Sequence, residues 1–276
     1  MAEIAAKPDS VLKQMSILSV RELNLHARRV LVRCDFNVPM DDNGVITDDS
    51  RIRATLPTIQ FIRQTDCRLI LCSHLGRPKG KPNAEMSLAP CAERLAQLLG
   101  KPVVFAPDCV GPQVEAMLPK PGEVLLLENL RFNAGEEKND PAFVAQLVQG
   151  IDCYVDDAFG AAHRAHASIV GPPRTLPSAA GRLLQKEVEV LMGLRNHPSR
   201  PFVAVLGGAK VSDKLGVIEA LLKVVDALVI GGGMCFTFMA AQGYSVGDSI
   251  CERDQIDTCK RLLAIGKPIH LPEDIR

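Results

Sequence analysis

Two lysines four residues apart, Lys210 and Lys214, follow a glycine pair, Gly207 and Gly208, in the stretch VAVLGGAKVSDK at 203–214. The apolar run before them reads as a buried strand, Val203 to Leu206, and the residues after the turn read as the start of a helix. On a helix this spacing puts both ammonium groups on one face. Glycines let backbone N–H groups approach a ligand closely, and a helix N-terminus favours negative charge. Together they would make an anion site, most simply one for phosphate. The plainer alternative is an ordinary strand–loop–helix joint carrying two solvated lysines. The G-x-x-x-x-G-K-[ST] spacing of a P-loop is absent.

A second set of cations lies earlier. Arg51, Arg77, Arg131 and Arg164 each fall just past a separate apolar run, in company with Asp35, Asn37, His74, Asn129 and His166. Arginine suits bidentate contacts to phosphate or carboxylate. One such arginine would be surface solvation, but four at equivalent positions point to an anion-binding cluster. Arg51 and Arg53 both sit at the start of a helix beginning near Ser50, where cations are disfavoured. An anionic ligand would offset that cost, and so would Asp48 and Asp49; the residues alone do not choose between Arg51 and Arg53. His163 and His166 are three apart, with no third His or Cys at ligand spacing, so no metal site is expected. Asp156 and Asp157 are adjacent, point to opposite faces of a strand and make no obvious dyad.

The elements that must position these residues repeat as strand, loop, helix. Strands are expected at Val30–Cys34, Arg68–Cys72, Val103–Phe105, Glu123–Leu127 and Ile151–Val155, with helices after them. That order implies a parallel α/β sheet, whose ligands bind outside the C-terminal ends of the strands. Every candidate above falls there. Gly171, Pro172, Pro173 and Pro177 break the pattern, and 182–196 reads as a long amphipathic connecting helix. A second series follows: the lysine stretch, a helix over Asp213–Leu222, a strand over Asp226–Ile230 ending in Gly231, Gly232 and Gly233, a helix over Met234–Ala241, a helix near Glu252–Ile265 and a strand near Pro268–Leu271. The triple glycine permits close approach of a flat ligand or, equally, tight helix–strand packing. The fold class is therefore α/β, with two Rossmann-like parallel-sheet domains joined by a helix. The expected boundaries are an N-terminal extension over 1–15, a first domain over 16–181, a linker over 182–199 and a partial second domain over 200–276.

Composition sets the compartment and the partners. The chain has 276 residues, 47% hydrophobic and 23% charged, with a formal net charge of zero. Nothing draws it globally to nucleic acid or membrane, so any anion site must be built locally. Tryptophan is absent and aromatics are 4%, which disfavours base-stacking platforms. Nine scattered cysteines without a C-x-x-C pair fit reduced, buried thiols of a cytoplasmic protein. Residues 1–15 lack the apolar core of a signal peptide, and Met15 is an alternative start.

Seven ordered motifs complete the reading: DFNVP at 35–39, RIRATLPTI at 51–59, SHLGRP at 73–78, LENLRF at 127–132, DDAFGAAHRAHAS at 156–168, LGGAKVSDKL at 206–215 and IGGGMCFTF at 230–238. Together they resemble phosphoglycerate kinase, from about residue 16 to the end. The resemblance implies a monomeric glycolytic kinase that moves a phosphoryl group reversibly between 1,3-bisphosphoglycerate/ADP and 3-phosphoglycerate/ATP. It implies that Asp35, Asn37 and Arg51 hold the carboxylate and hydroxyl end of the phosphoglycerate. His74, Arg77, Arg131 and Arg164 would hold its phosphate, with Phe36, Leu75 and Gly76 lining the site. Lys210 and Lys214 would meet the nucleotide phosphates, near Gly208, Gly232 and Gly233. Arg51 and Lys210 would contact the transition state, and a hinge at the connecting helix would bring the ligands together. The cofactors implied are ATP or ADP with Mg2+. The family's glycine-rich GGG-D-[ST] segment, the aspartate that holds magnesium, a distal acidic nucleotide contact and the C-terminal tail have no counterpart before residue 276. A truncated, inactive form that only binds 3-phosphoglycerate is therefore the alternative. A nicotinamide-dependent dehydrogenase is disfavoured, because no G-x-G-x-x-G follows the first strand.

Overall fold

The computed structural model describes residues 17–274; the expected N-terminal extension over 1–15 lies outside them. The chain falls into two compact units that divide between Leu191 and Met192.

The first unit is built on a six-stranded sheet in the order β3-β4-β2-β1-β5-β6. The strands are β1 (Arg29–Arg33), β2 (Arg68–Cys72), β3 (Val103–Phe105), β4 (Val124–Leu126), β5 (Cys153–Asp156) and β6 (Ser178–Ala180). Every pairing is parallel. The central strands are apolar on both faces because both faces are covered. Val30, Val32, Leu69, Leu71, Val124, Leu126 and Val155 enter one core; Leu31, Ile70, Leu125 and Tyr154 enter the other. Each fully buried aliphatic side chain contributes about 1.5–3 kcal/mol. Helix α1 (Ser50–Arg63) supplies Ile52, Ile59 and Ile62 to the first core, and α2 (Ala89–Leu99) supplies Cys91 and Leu95. Helix α3 (Pro141–Leu147), capped by the Asp140 carboxylate on the Ala142 N–H, supplies Phe143 and Leu147 to the second.

One expectation about this unit changes. The glycine and prolines at 171–177 do not end the sheet, because Ser178–Ala180 pairs in parallel with β5. Its residues are too few and too small to show a strand pattern. In addition, β1 ends in a charge: Arg33 is completely buried.

Helix α4 (Arg182–Asn196) follows β6. Its first N–H groups are caught by Asp157, whose Oδ1 accepts from Leu183 at 2.9 Å and Leu184 at 3.2 Å. The Thr58 hydroxyl accepts from the Arg182 N–H. Gly181 leaves room for that carboxylate, since a Cβ there would overlap it.

The second unit holds β7 (Val203–Leu206), β8 (Ala227–Ile230) and β9 (Ile269–His270), parallel and in that order. Helices α5 (Leu215–Leu222), α6 (Met234–Ala241) and α7 (Ile256–Leu263) accompany them. The core gathers Ile218, Leu222, Leu228, Ile230, Met234, Phe238 and Leu262. The expectation of a buried β7 is corrected: Val203 and Val205 are 48% and 74% exposed. The described helices pack on the Ala204, Leu206, Leu228 and Ile230 face, so the residues between them point outward. The expected shared helical face for Lys210 and Lys214 is corrected too. Lys210 lies in the loop, Ser212–Lys214 forms a 3-10 turn, and the α-helix begins at Leu215.

Candidate anion sites

Strand β1 is the point where the first sheet's connections diverge, to β2 on one side and β5 on the other. Outside the C-terminal ends of these strands lies the crevice where parallel sheets take ligands. The loops there are tied to one another by short polar side chains. Ser73, at the end of β2, donates through its hydroxyl to the Cys34 carbonyl and accepts from the Phe36 N–H, both at 2.9 Å. Asn37 accepts from the Gly76 N–H at 2.9 Å, where the chain turns with a φ of +60° that suits glycine. Asn129, past β4, donates to the carbonyls of Leu75 and Met86 and accepts from the N–H groups of Leu75 and Arg131. Asn129 is completely buried and uses both ends of its amide.

The cations sit on this frame. Arg131 is buried; its Nη1 donates to the Gly76 carbonyl at 2.7 Å, while its Nε and Nη2 are buried without a hydrogen-bond partner. Glu137 lies 3.3 Å from that Nε. Burial lowers the Arg131 pKa, Glu137 opposes it, and the Arg164 and Arg33 guanidiniums push the same way as burial. His74 is buried as well, and its pKa is pushed down to about 2 by burial and then by Arg33, Arg131 and Arg164. It is therefore neutral at physiological pH. Its Nδ1 is 3.1 Å from Arg33 Nη2. Arginine can only donate, so Nδ1 accepts and Nε2 carries the proton. Arg77 stands exposed on the same loop, and Arg164 is half-buried.

Behind the cluster, Arg33 donates from Nε to the Ser168 hydroxyl at 2.9 Å and from Nη1 to the Cys34 carbonyl. Burial alone would lower its pKa, but Glu136 and weaker neighbours outweigh burial and hold it above its ordinary value. Glu136 in turn accepts from the Ser168 N–H and hydroxyl at 2.9 and 2.6 Å. His166 Nδ1 is 3.9 Å from Glu136 and has no hydrogen-bond partner.

Arg51 and Arg53 take different partners. Arg53 donates to Asp49 at 2.8 Å, as does Arg94. Arg51 instead turns to the end of β1, with Nη1 at 3.0 Å from both oxygens of Asp35. Asp35 also accepts from the Asn37 N–H. Gly160 makes room for this carboxylate, since a Cβ there would lie 2.6 Å from Asp35 Oδ2. Phe36 and Leu75 are buried side chains, so only their backbones face the loops.

In the second unit the glycines pack on each other. A Cβ at Gly232, where φ is +66°, would lie 2.9 Å from the Gly208 nitrogen. The Met234 N–H donates to the Gly208 carbonyl at 2.9 Å. A Cβ at Gly208 would lie 2.8 Å from Lys214 Cε, so the lysine stem crosses the bare glycine. Lys210 is exposed and Lys214 half-buried. The N–H groups of Val211 and Ser212, just before the helix, are taken by Glu252 Oε2 at 2.6 and 3.1 Å.

With this geometry in view, a family model described as phosphoglycerate kinase matches residues 20–276. The chain belongs to the phosphoglycerate kinase family. It is 58% identical over 266 residues to the phosphoglycerate kinase of Solibacter usitatus, covering 94% of this chain and 68% of that one. It is 54% identical over 259 residues to that of Koribacter versatilis, covering 91% and 64%. Among solved structures, phosphoglycerate kinase from Coxiella burnetii superposes with a TM-score of 0.80 at 42% identity, covering 93% of this chain and 65% of that one. The chain thus spans about two thirds of the length of the phosphoglycerate kinases it matches.

Sequence reasoning missed Arg33, Ser73, Glu136, Gly160 and Glu252. Arg33 left a signal, a charge that closes the apolar run VLV. Glu136 and Glu252 sit in ordinary polar stretches, and only the fold brings them to Ser168 and to the lysine loop.

Proposed function

We propose that the chain carries out the phosphoglycerate kinase reaction in glycolysis, with 3-phosphoglycerate on the first unit and ATP or ADP on the second. The observation that carries this reading is the convergence of His74, Arg131 and Arg164, with a buried arginine whose Nη2 lacks any partner. Converging cations with unused donors would be costly in the free protein and are offset by a phosphate. Neutral His74 would add a donor from Nε2. Arg51 and Asp35 would take the carboxylate and hydroxyl end, with Asn37, Arg77 and the backbones of Phe36, Leu75 and Gly76 around the ligand.

Towards the acyl phosphate, a carboxylate oxygen of 3-phosphoglycerate forms the new P–O bond to the γ-phosphorus. The bond to the β-phosphate oxygen breaks and ADP leaves with that electron pair. The attacking carboxylate is already ionised, so no general base is needed. What remains is positioning and charge neutralisation, the work of cations and N–H groups. Arg51 and Lys210 are the candidates for contacts to the transferred group, with Lys214 on the nucleotide phosphates near Gly208, Gly232 and Gly233. Magnesium would accompany the nucleotide. Among the described residues no group of three or more His, Cys, Asp or Glu side chains could hold a metal ion. The partners proposed are these small molecules alone, for a cytoplasmic monomer without affinity for nucleic acid. No helix among the described residues is long and apolar enough to cross a membrane.

Calorimetry with 3-phosphoglycerate and a coupled ATP-dependent assay on one sample test the reading. Binding with turnover is the expected result. Binding without turnover would leave a phosphoglycerate-binding chain and overturn the kinase activity. A folded sample that binds nothing would overturn the anion site itself.

A further inference from the structure

We infer that Glu252 is a positioning residue that fixes the lysine-bearing loop for nucleotide phosphates. This rests on the function proposed above and adds a residue to it. Glu252 lies past α6, far along the chain from the loop, yet its carboxylate makes three bonds there. Oε2 accepts from the N–H groups of Val211 and Ser212, and Oε1 accepts from the Ser212 hydroxyl at 2.5 Å. Its own N–H donates to Thr237 Oγ1 at 3.1 Å, and Thr237 is buried on α6. The same helix grips the other end of the loop, through Met234 N–H and the Gly208 carbonyl. Lys210 is thus suspended between two anchors on one helix, and Lys214 ends the 3-10 turn that Glu252 holds.

The bonds also decide which groups remain for a ligand. Two N–H groups at the loop-to-helix joint are spent on a protein carboxylate. Among the described residues neither lysine ammonium pairs with one. The positive charge for a phosphate chain therefore resides in the two side chains, on a backbone that Glu252 keeps from fraying. A carboxylate accepting three bonds needs all of them to hold this turn, so shortening it frees Val211 and Ser212 together.

The test is calorimetric titration of ADP into the full chain and into Glu252→Ala, Glu252→Gln, Lys210→Ala and the Glu252→Ala/Lys210→Ala pair. Glu252→Ala should weaken ADP binding about tenfold. Glu252→Gln, which keeps one acceptor oxygen in place, should recover most of that loss. In the Lys210→Ala background the Glu252→Ala change should cost clearly less, because one of the two lysines it positions is gone. A merely structural glutamate would cost the same in both backgrounds, and that result overturns the inference, as does unchanged ADP binding in Glu252→Ala. Should Glu252→Ala fail to fold, the cycle is run with Glu252→Gln, whose smaller loss should shrink in the Lys210→Ala background and whose undiminished persistence there overturns the inference. Absence of ADP binding by the unsubstituted chain would overturn the proposed function and this inference with it.

Discussion

Asp157 is buried, holds the start of α4 and carries one carboxylate oxygen, Oδ2, that is buried without a partner. Burial pushes its pKa from 3.8 up to about 7, against bonds from Thr58, Leu184 and Leu183 that pull it down. In the unfolded chain it ionises at the ordinary value. The folded state therefore binds the proton more tightly, and this contribution to stability is full below about pH 4 and lost as pH rises through about 7. Each pH unit between the two values is worth about 1.4 kcal/mol, so the loss between pH 5 and pH 8 is about 3 kcal/mol. Asp157→Asn keeps an oxygen for Leu183 and Leu184 and removes the titration. The variant should gain about 3 kcal/mol on the parent between pH 5 and pH 8. Urea melts at the two pH values, followed by tyrosine fluorescence, supply the comparison. The chain has no tryptophan and two tyrosines, of which Tyr154 is buried in the first unit. Parent and variant curves that stay parallel across the range would refute the assignment of a raised pKa to Asp157.

Other expected outcomes follow from the same geometry. Arg51→Ala should lower turnover by about a hundredfold or more with an unchanged melting temperature, because Arg51 is half exposed and its side chain bonds only Asp35 among the described residues; near-normal turnover in the coupled assay would contradict its role. Gly160→Ala should drive the Asp35 carboxylate away from Arg51 and weaken 3-phosphoglycerate binding in calorimetry, while circular dichroism stays native. The folded pKa of His74 is depressed, so the stability that neutral His74 supplies is full above its ordinary value of 6.5 and falls as pH drops towards about 2. His74→Gln should accordingly gain about 2 kcal/mol on the parent between pH 7 and pH 5 in chemical denaturation. Gly232→Ala should destabilise the second unit by about 1–3 kcal/mol, read as earlier loss of its protection in hydrogen exchange, through both its positive φ and the approach to Gly208.

The legible parts of this chain were those whose pattern is set by neighbours in sequence. The central strands of the first sheet announced themselves because both faces are buried and both are apolar, as at Val30, Leu31 and Val32. Helix α6 matched its reading from Met234 to Ala241, since a glycine run precedes it and its apolar residues fill the core. The loops carrying Arg131 and Arg164 were legible for the same reason: strand ends are where polar residues gather. Long-range partners were not. Nothing near Arg51 distinguishes it from Arg53 until α1 is placed against β1, when one meets Asp35 and the other Asp49. The lysine loop was misjudged as regular helix because spacing cannot show that a distant Glu252 has already taken the first N–H groups. The short strand β6 carries too little side chain to be seen at all.

The cysteines give the molecule a built-in clock. Eight of the nine are buried, six in the first unit and Cys235 and Cys259 in the second. Burial pushes the thiols up, to about 12 at Cys72 and Cys91 and about 11 at Cys153 and Cys259. In the folded chain these eight thiols therefore offer an alkylating reagent almost no thiolate at neutral pH. Each thiol becomes reactive only when the structure around it opens. The rate at which each sulfur is labelled then times the opening of its own surroundings, and the two units can be followed separately in one unmodified chain.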